Sequence, residues 1–183
     1  MILGHHEPYP AVVMDGSWNI VMQNAAASRI IAACVGRDAL RQLFPDGVIN
    51  FMQLMFSQKG LRPHILNWAH TRLALLNRLR REAAGKPNSP SGMLRRQFDS
   101  DTPRGEHMIH GEGDEPMLSL ELGIGDKRLR LFNTFTTFGT PQDVLLQELR
   151  IDMSFPADET TRRFLDTAAK AGIEEALGLY QQA

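Results

Sequence analysis

The sequence predicts an α+β fold, an antiparallel sheet of about five strands with helices packed on one face. Three observations predict it. Two short apolar runs, Ala11 to Met14 and Trp18 to Met22, flank Asp15-Gly16-Ser17, and β-prone runs joined by an Asp-Gly turn read as a hairpin whose glycine takes the positive φ. Late in the chain the hydrophobic period is two: Leu118, Leu120, Leu122, then Leu129, Leu131, Asn133, Phe135, then Leu149, Ile151, Met153, Phe155. Between these blocks the apolar residues recur with the period of helices.

Asn24 stands where a helix N-cap belongs, before Ala25 to Val35, because its side chain can accept from the free amides of the first turn. Gly36 and Pro45-Asp46-Gly47 then mark a polar bridge. Asn50 can cap a short helix whose Phe51, Met52, Leu54, Met55 and Phe56 are apolar almost all round, so that helix is expected to be buried. Gly60 ends it, and Pro63 suits the first turn of the longest helix, Pro63 to Ala84. Gly85 to Pro90 closes that helix, and a shorter one runs from Ser91 to Phe98. Asp99 to Glu115 is polar and broken by Pro103, Gly105, Gly111 and Gly113, which reads as a long surface loop. Gly125-Asp126-Lys127 turns the chain between two of the late strands. Asp158 can cap a last helix, Glu159 to Ala171, and Gly172 to Ala183 is a weakly amphipathic tail.

At 183 residues, 43% of them hydrophobic, the chain suits one domain with a core of its own. A net charge of −1 gives no overall electrostatic attraction to nucleic acid, whose binding rests on phosphate neutralisation. The single cysteine, Cys34, allows no disulfide within the chain and fits a reducing, cytoplasmic setting. No run approaches the roughly 18 apolar residues of a membrane span, and the N-terminus lacks the pattern of a signal peptide.

Catalytic and metal-binding patterns are missing. His5, His6, His64, His70, His107 and His110 never combine with Cys or acidic residues at metal-site spacing, and they read as surface histidines. There is no GxSxG, Walker loop, GxGxxG or CxxC. Neither catalysis nor a cofactor is expected. Arg78, Arg80, Arg81, Lys86, Arg95 and Arg96 read as a solvated basic face.

On a wheel of the long helix, Ile65, Leu66, Ala69, Leu73, Leu76, Leu79 and Ala83 share an arc that contains Arg72 and Arg80. Two readings of Arg72 stand. Its stem can lie along apolar surface with the guanidinium at solvent or meeting a carboxylate on another element, or the guanidinium can end an apolar pocket and hold an anionic headgroup bidentately. Met14, Met22, Met52, Met55 and Met153 fall on elements expected to face one another. Methionine there fills core gaps and also suits a deformable pocket for an aliphatic ligand. Asn133 is a lone polar group on an apolar strand face, suited to a backbone hydrogen bond or a ligand contact. The expected ligand-binding set is Met14, Met22, Phe51, Met52, Met55, Leu66, Ala69, Arg72, Leu73, Leu76, Asn133, Phe135, Ile151 and Met153.

The stretch His6 to Ala27, followed in order by Asn50 to Phe56, Asn67-Trp68 and Leu79-Arg80-Arg81-Glu82-Ala83, resembles the ligand-binding domain of MmyB-like transcription regulators from Glu7 to about Phe155. The resemblance implies a PAS-like fold, and five strands with the helices inserted after the second agree with it. It further implies a sensor domain, residues 7–171, for a small fatty-acid-like ligand, expected to act as a homodimer. In that family a helix-turn-helix domain of the XRE type precedes the sensor and reads DNA. Six residues before Glu7 are too few to hold it, so the sequence is expected to be a piece of a longer regulator or one that lost its DNA-reading part. Two rivals stand beside this reading: a ligand-free dimerisation or interaction module, and a small α+β cavity enzyme, which would need an acid/base pair in its pocket.

Overall fold

The computed structural model describes residues 2–99, 117–137 and 149–178, and these carry a five-stranded antiparallel sheet. Strands β1 (Ala11–Met14) and β2 (Ile20–Gln23) form the opening hairpin. Strands β3 (Met117–Ile124), β4 (Lys127–Thr137) and β5 (Arg150–Pro156) form the meander. The order across the sheet is β2-β1-β5-β4-β3, so β1 and β5, distant in sequence, pair side by side. Helices α1 (Ile2–His5), α2 (Ala25–Val35), α3 (Arg37–Leu43), α4 (Phe51–Phe56), α5 (Trp68–Glu82), α6 (Pro90–Asp99), α7 (Glu159–Ala171) and α8 (Ile173–Ala176) complete the described architecture. It is the predicted α+β arrangement, consistent with the PAS-like order. The expected loop after Asp99, with His107 and His110, lies outside the described residues.

The main core occupies one face of the sheet. Val12 and Met14 of β1 and the alternating leucines of β3 and β4 pack there against Ile30 and Ile31 of α2, Leu54 and Met55 of α4, Leu75 and Leu79 of α5, and Phe164 and Leu165 of α7. The opposite face carries a smaller cluster in which Leu3 of α1 covers Ala11, Val13 and Ile151.

The predicted caps hold. Asn24 Oδ1 accepts from Ala27 N at 3.0 Å, Asn50 Oδ1 from Gln53 N at 3.1 Å, and Asp158 Oδ1 from Thr161 N at 2.7 Å. The hairpin turn is longer than expected and is organised by Asp15, whose Oδ1 accepts from Ser17 N and Asn19 N at 2.8 and 2.9 Å. The positive φ falls on Trp18 at 69°, not on Gly16. A left-handed residue after a three-residue turn is a standard way to close a bulged hairpin, although a bulky side chain makes it costly. Burial opposes that cost, because Trp18 is fully buried and its Nε1 donates to Ser91 Oγ at 3.0 Å.

The expected long helix is divided. Arg62–His64 form a 3-10 turn, Ile65 makes an isolated bridge to Leu122, and α5 begins only at Trp68. Leu66 N donates to Glu121 O at 2.8 Å, and Asn67 uses Nδ2 on Ser119 O and Oδ1 on Glu121 N at 2.9 Å each. These bonds occupy the outer edge of β3, which would otherwise be an unpaired strand edge. The polar bridge after Gly36 contains the additional helix α3. His6 and His64 are half-buried rather than surface residues, with Nε2 of His6 2.8 Å from Ser154 O and Nδ1 of His64 3.2 Å from Gly123 O.

Candidate functional site

A cavity lies between the main face of the sheet and helices α2 and α4. Its walls are apolar: Val12 and Ile20 from the hairpin, Ala27, Ile30 and Ile31 from α2, Phe51, Leu54 and Met55 from α4, and Leu118, Leu120, Leu122 and Leu131 from the meander. It offers about 60 Å³ to the centres of water molecules, several times the roughly 10–15 Å³ that one water requires.

Register supplies the polar end. Asn133 of β4 lies opposite Ser154 of β5, and Asp152 lies opposite both Phe135 and Val12. Directly opposed residues of an antiparallel pair share a face, so Asn133, Asp152 and Ser154 meet at the cavity. Asn133 Nδ2 reaches the two Asp152 oxygens at 3.0 and 3.1 Å and Ser154 Oγ at 2.9 Å. Its Oδ1 has no hydrogen-bond partner among the described residues, although Asn133 is only 4% exposed. Burial pushes the Asp152 carboxyl up to about 7, against the opposing pull of the Asn133 amide and the Arg78 charge.

Behind this end stands a cationic cluster. Arg78 lies over the Phe135 ring at 4.2 Å and Arg150 over the Trp18 ring at 4.8 Å. Arg150 holds Glu82 through Nη2–Oε2 at 2.8 Å and Nε–Oε1 at 3.2 Å, and donates Nη1 to Asp15 O at 2.6 Å. Arg78 Nε stands 3.3 Å from Glu82 Oε1 without the alignment of a hydrogen bond. Burial, more than any neighbour, lowers the pKa of Arg78. Cys34 is also buried, and desolvation pushes its thiol up to about 12, so it carries no reactive thiolate.

The structure brings Phe51, Met55 and Asn133 of the expected set to the cavity wall. Met14, Met52 and Leu76 are buried in the surrounding core, and Phe135 is half-buried beneath Arg78. Arg72 and Leu73 are half-buried on α5 away from the wall, Ala69 is exposed, and Met22 and Leu66 are 40% and 53% exposed. Ile151 and Met153 belong to the cluster on the opposite face. Asp152, Ser154, Ile30, Ile31 and the β3 leucines line the cavity and lie outside the expected set. The lone polar Asn133 was the available signal for Asp152 and Ser154, since an asparagine on a buried strand face needs polar partners from the neighbouring strand.

An apolar cavity with a few convergent polar groups has the general form of a small-molecule site. Residues 1–168 match the family described as the MmyB-like transcription regulator ligand binding domain, and the chain belongs to that family. Comparison with curated proteins finds no match. Among the described residues, no helix is long and apolar enough to cross a membrane, and no group of three His, Cys, Asp or Glu could hold a metal ion.

Proposed function

We propose that this domain is the small-molecule sensor of a bacterial transcription regulator and that its cavity takes an amphiphile with a fatty-acid-like tail. The observation that carries this reading is the cavity itself, walled by aliphatic side chains and polar at one end. The tail would lie among Ile30, Ile31, Leu54, Met55 and the β3 leucines, with the head towards Asn133. No cation lines the cavity among its described residues, so a long-chain acid would enter in its neutral form rather than clamped by Arg72.

The domain is read as a binding module without catalytic activity or resident cofactor. It would act in the cytoplasm as a homodimer, with DNA reached through a helix-turn-helix part of the XRE type. Helices α2 and α4 contribute much of the wall, so bound and empty packing differ, and a ligand that prefers one packing shifts the population towards it. The shift is limited to the ligand's differential affinity for the two states.

Native mass spectrometry of the purified chain, followed by organic extraction, tests this. An apolar-tailed molecule at about one per chain is the expected result. A clean mass together with no thermal shift on adding aliphatic alcohols, amines or acids would overturn the reading in favour of a ligand-free interaction module.

A further inference from the structure

Resting on the reading of the cavity as a ligand site, we infer that its polar end selects ligands by a hydrogen-bond donor. The favoured ligand carries an alcohol or amine on an aliphatic chain, in preference to an ester or an ionised acid. The Asn133 amide turns its NH2 towards the Asp152 carboxyl at 3.0 and 3.1 Å, an orientation that suits the ionised, acceptor-only form of the aspartate. That orientation spends the amide's donors on Asp152 and Ser154 and leaves Oδ1 buried and unpartnered among the described residues.

A buried acceptor without a donor destabilises the empty domain until a donor reaches it. Among the described lining residues Ser154 supplies the one hydroxyl; its oxygen accepts from Asn133 at 2.9 Å, and its O–H does not reach Oδ1. The neighbouring guanidinium of Arg78 lies over the Phe135 ring and beside Glu82, its Nε without a hydrogen-bond partner among the described residues, and it does not line the cavity. The groups facing Asp152 are Asn133 and Phe135 from β4, Val12 from β1 and the charge of Arg78 from α5. An incoming O–H or N–H meets acceptors at Oδ1 and at the carboxylate once the side chains at this end shift enough to uncover Oδ1, which is closed off in the empty domain. An ester finds no donor matched to its oxygens, and a carboxylate meets like charge at Asp152.

The test is an affinity series at pH 8, where Asp152 is ionised. Octan-1-ol, octylamine, methyl octanoate and octanoate are titrated into the chain by calorimetry. The alcohol and the amine should bind at least about tenfold more tightly than the ester and the carboxylate, as expected for hydrogen bonds to a buried charged end. In Asp152→Asn the advantage of octylamine over the ester should fall about tenfold or more. Equal affinities for all four, or tightest binding by octanoate, would overturn donor selection and leave the cavity reading in place. Binding by none would overturn both, and the wild-type series decides this even where the variant does not fold.

Discussion

Asp152 shows how one residue makes stability depend on pH. Its carboxyl sits at about 7 in the folded chain against 3.8 in the open, chiefly because burial disfavours the charged form. Between those values the folded state holds a proton that the unfolded state has shed. The contribution of Asp152 to stability is therefore greatest below pH 4 and declines as pH rises through 7, by as much as about 4 kcal/mol. Asp152→Asn, which imitates the neutral acid, should gain on the wild type by several kcal/mol between pH 5 and pH 8 in urea unfolding. Parallel stability curves for the two proteins would show that burial does not hold this proton. Asn24 makes a second case. Its Oδ1 caps α2 through Ala27 N and also accepts from Ala11 N at 3.0 Å, while Nδ2 donates to Tyr9 O at 2.8 Å. The cap was legible in the sequence, but the ties to Ala11 and Tyr9 were not, because they depend on where α2 docks. Asn24→Ala should cost about 3 kcal/mol or more, against about 1 kcal/mol for the single, half-buried cap bond lost in Asp158→Ala. Comparable losses in the two variants would contradict this.

At the scale of elements, β5 is the informative disagreement. Its alternation between Leu149, Ile151, Met153, Phe155 and the intervening polar residues predicted the strand correctly, yet the expected inward face is the outward one. Arg150, Asp152 and Ser154 face the main core because Met14, Val12 and Asn133 are their register partners. Ile151 is buried instead beside Leu3 of α1. Period fixes which residues share a face and says nothing about which face takes the larger layer. Helix α5 differs for a related reason: Thr71, Arg78 and Glu82 stand on its interior side, whereas Ala69 and Leu73 lie outside the cavity wall and Leu66 precedes the helix. An apolar wheel cannot locate a face built around a half-buried ion-pair network. Ile151→Ala should therefore lower stability by about 2–4 kcal/mol while changing octan-1-ol affinity less than threefold. A large loss of affinity with little loss of stability would put Ile151 at the cavity. Gly92 of α6 has no room for a side chain, since a Cβ there would overlap the Pro87 carbonyl oxygen. Gly92→Ala should thus displace the start of α6 and lower the melting temperature by several degrees, whereas Gly36→Ala, with open space around it but φ of 78°, should cost only about 1 kcal/mol.

For the whole molecule, cavity and network share a strand. Asp152 reaches the cavity, and two residues earlier Arg150 grips Glu82 of α5 and the Asp15 carbonyl of the hairpin. Glu82 accepts from Ser91 of α6, which accepts from Trp18, so β5, α5, α6 and the hairpin are joined by one chain of polar contacts. Trp18 also stacks on Phe51 of the cavity wall, with ring centroids 6.2 Å apart. A ligand that displaces Phe51 should therefore alter Trp18 fluorescence. The central claim is that the apolar cavity ending at Asn133 is where the regulator's small molecule sits. Its most direct test is the side-chain NH2 resonance of Asn133, assigned by loss in Asn133→Asp and followed by NMR while octan-1-ol is titrated. The account predicts a saturable shift at Asn133 together with shifts at Ile30, Leu54 and Met55. An Asn133 resonance that stays fixed while the alcohol saturates a different part of the domain would contradict it.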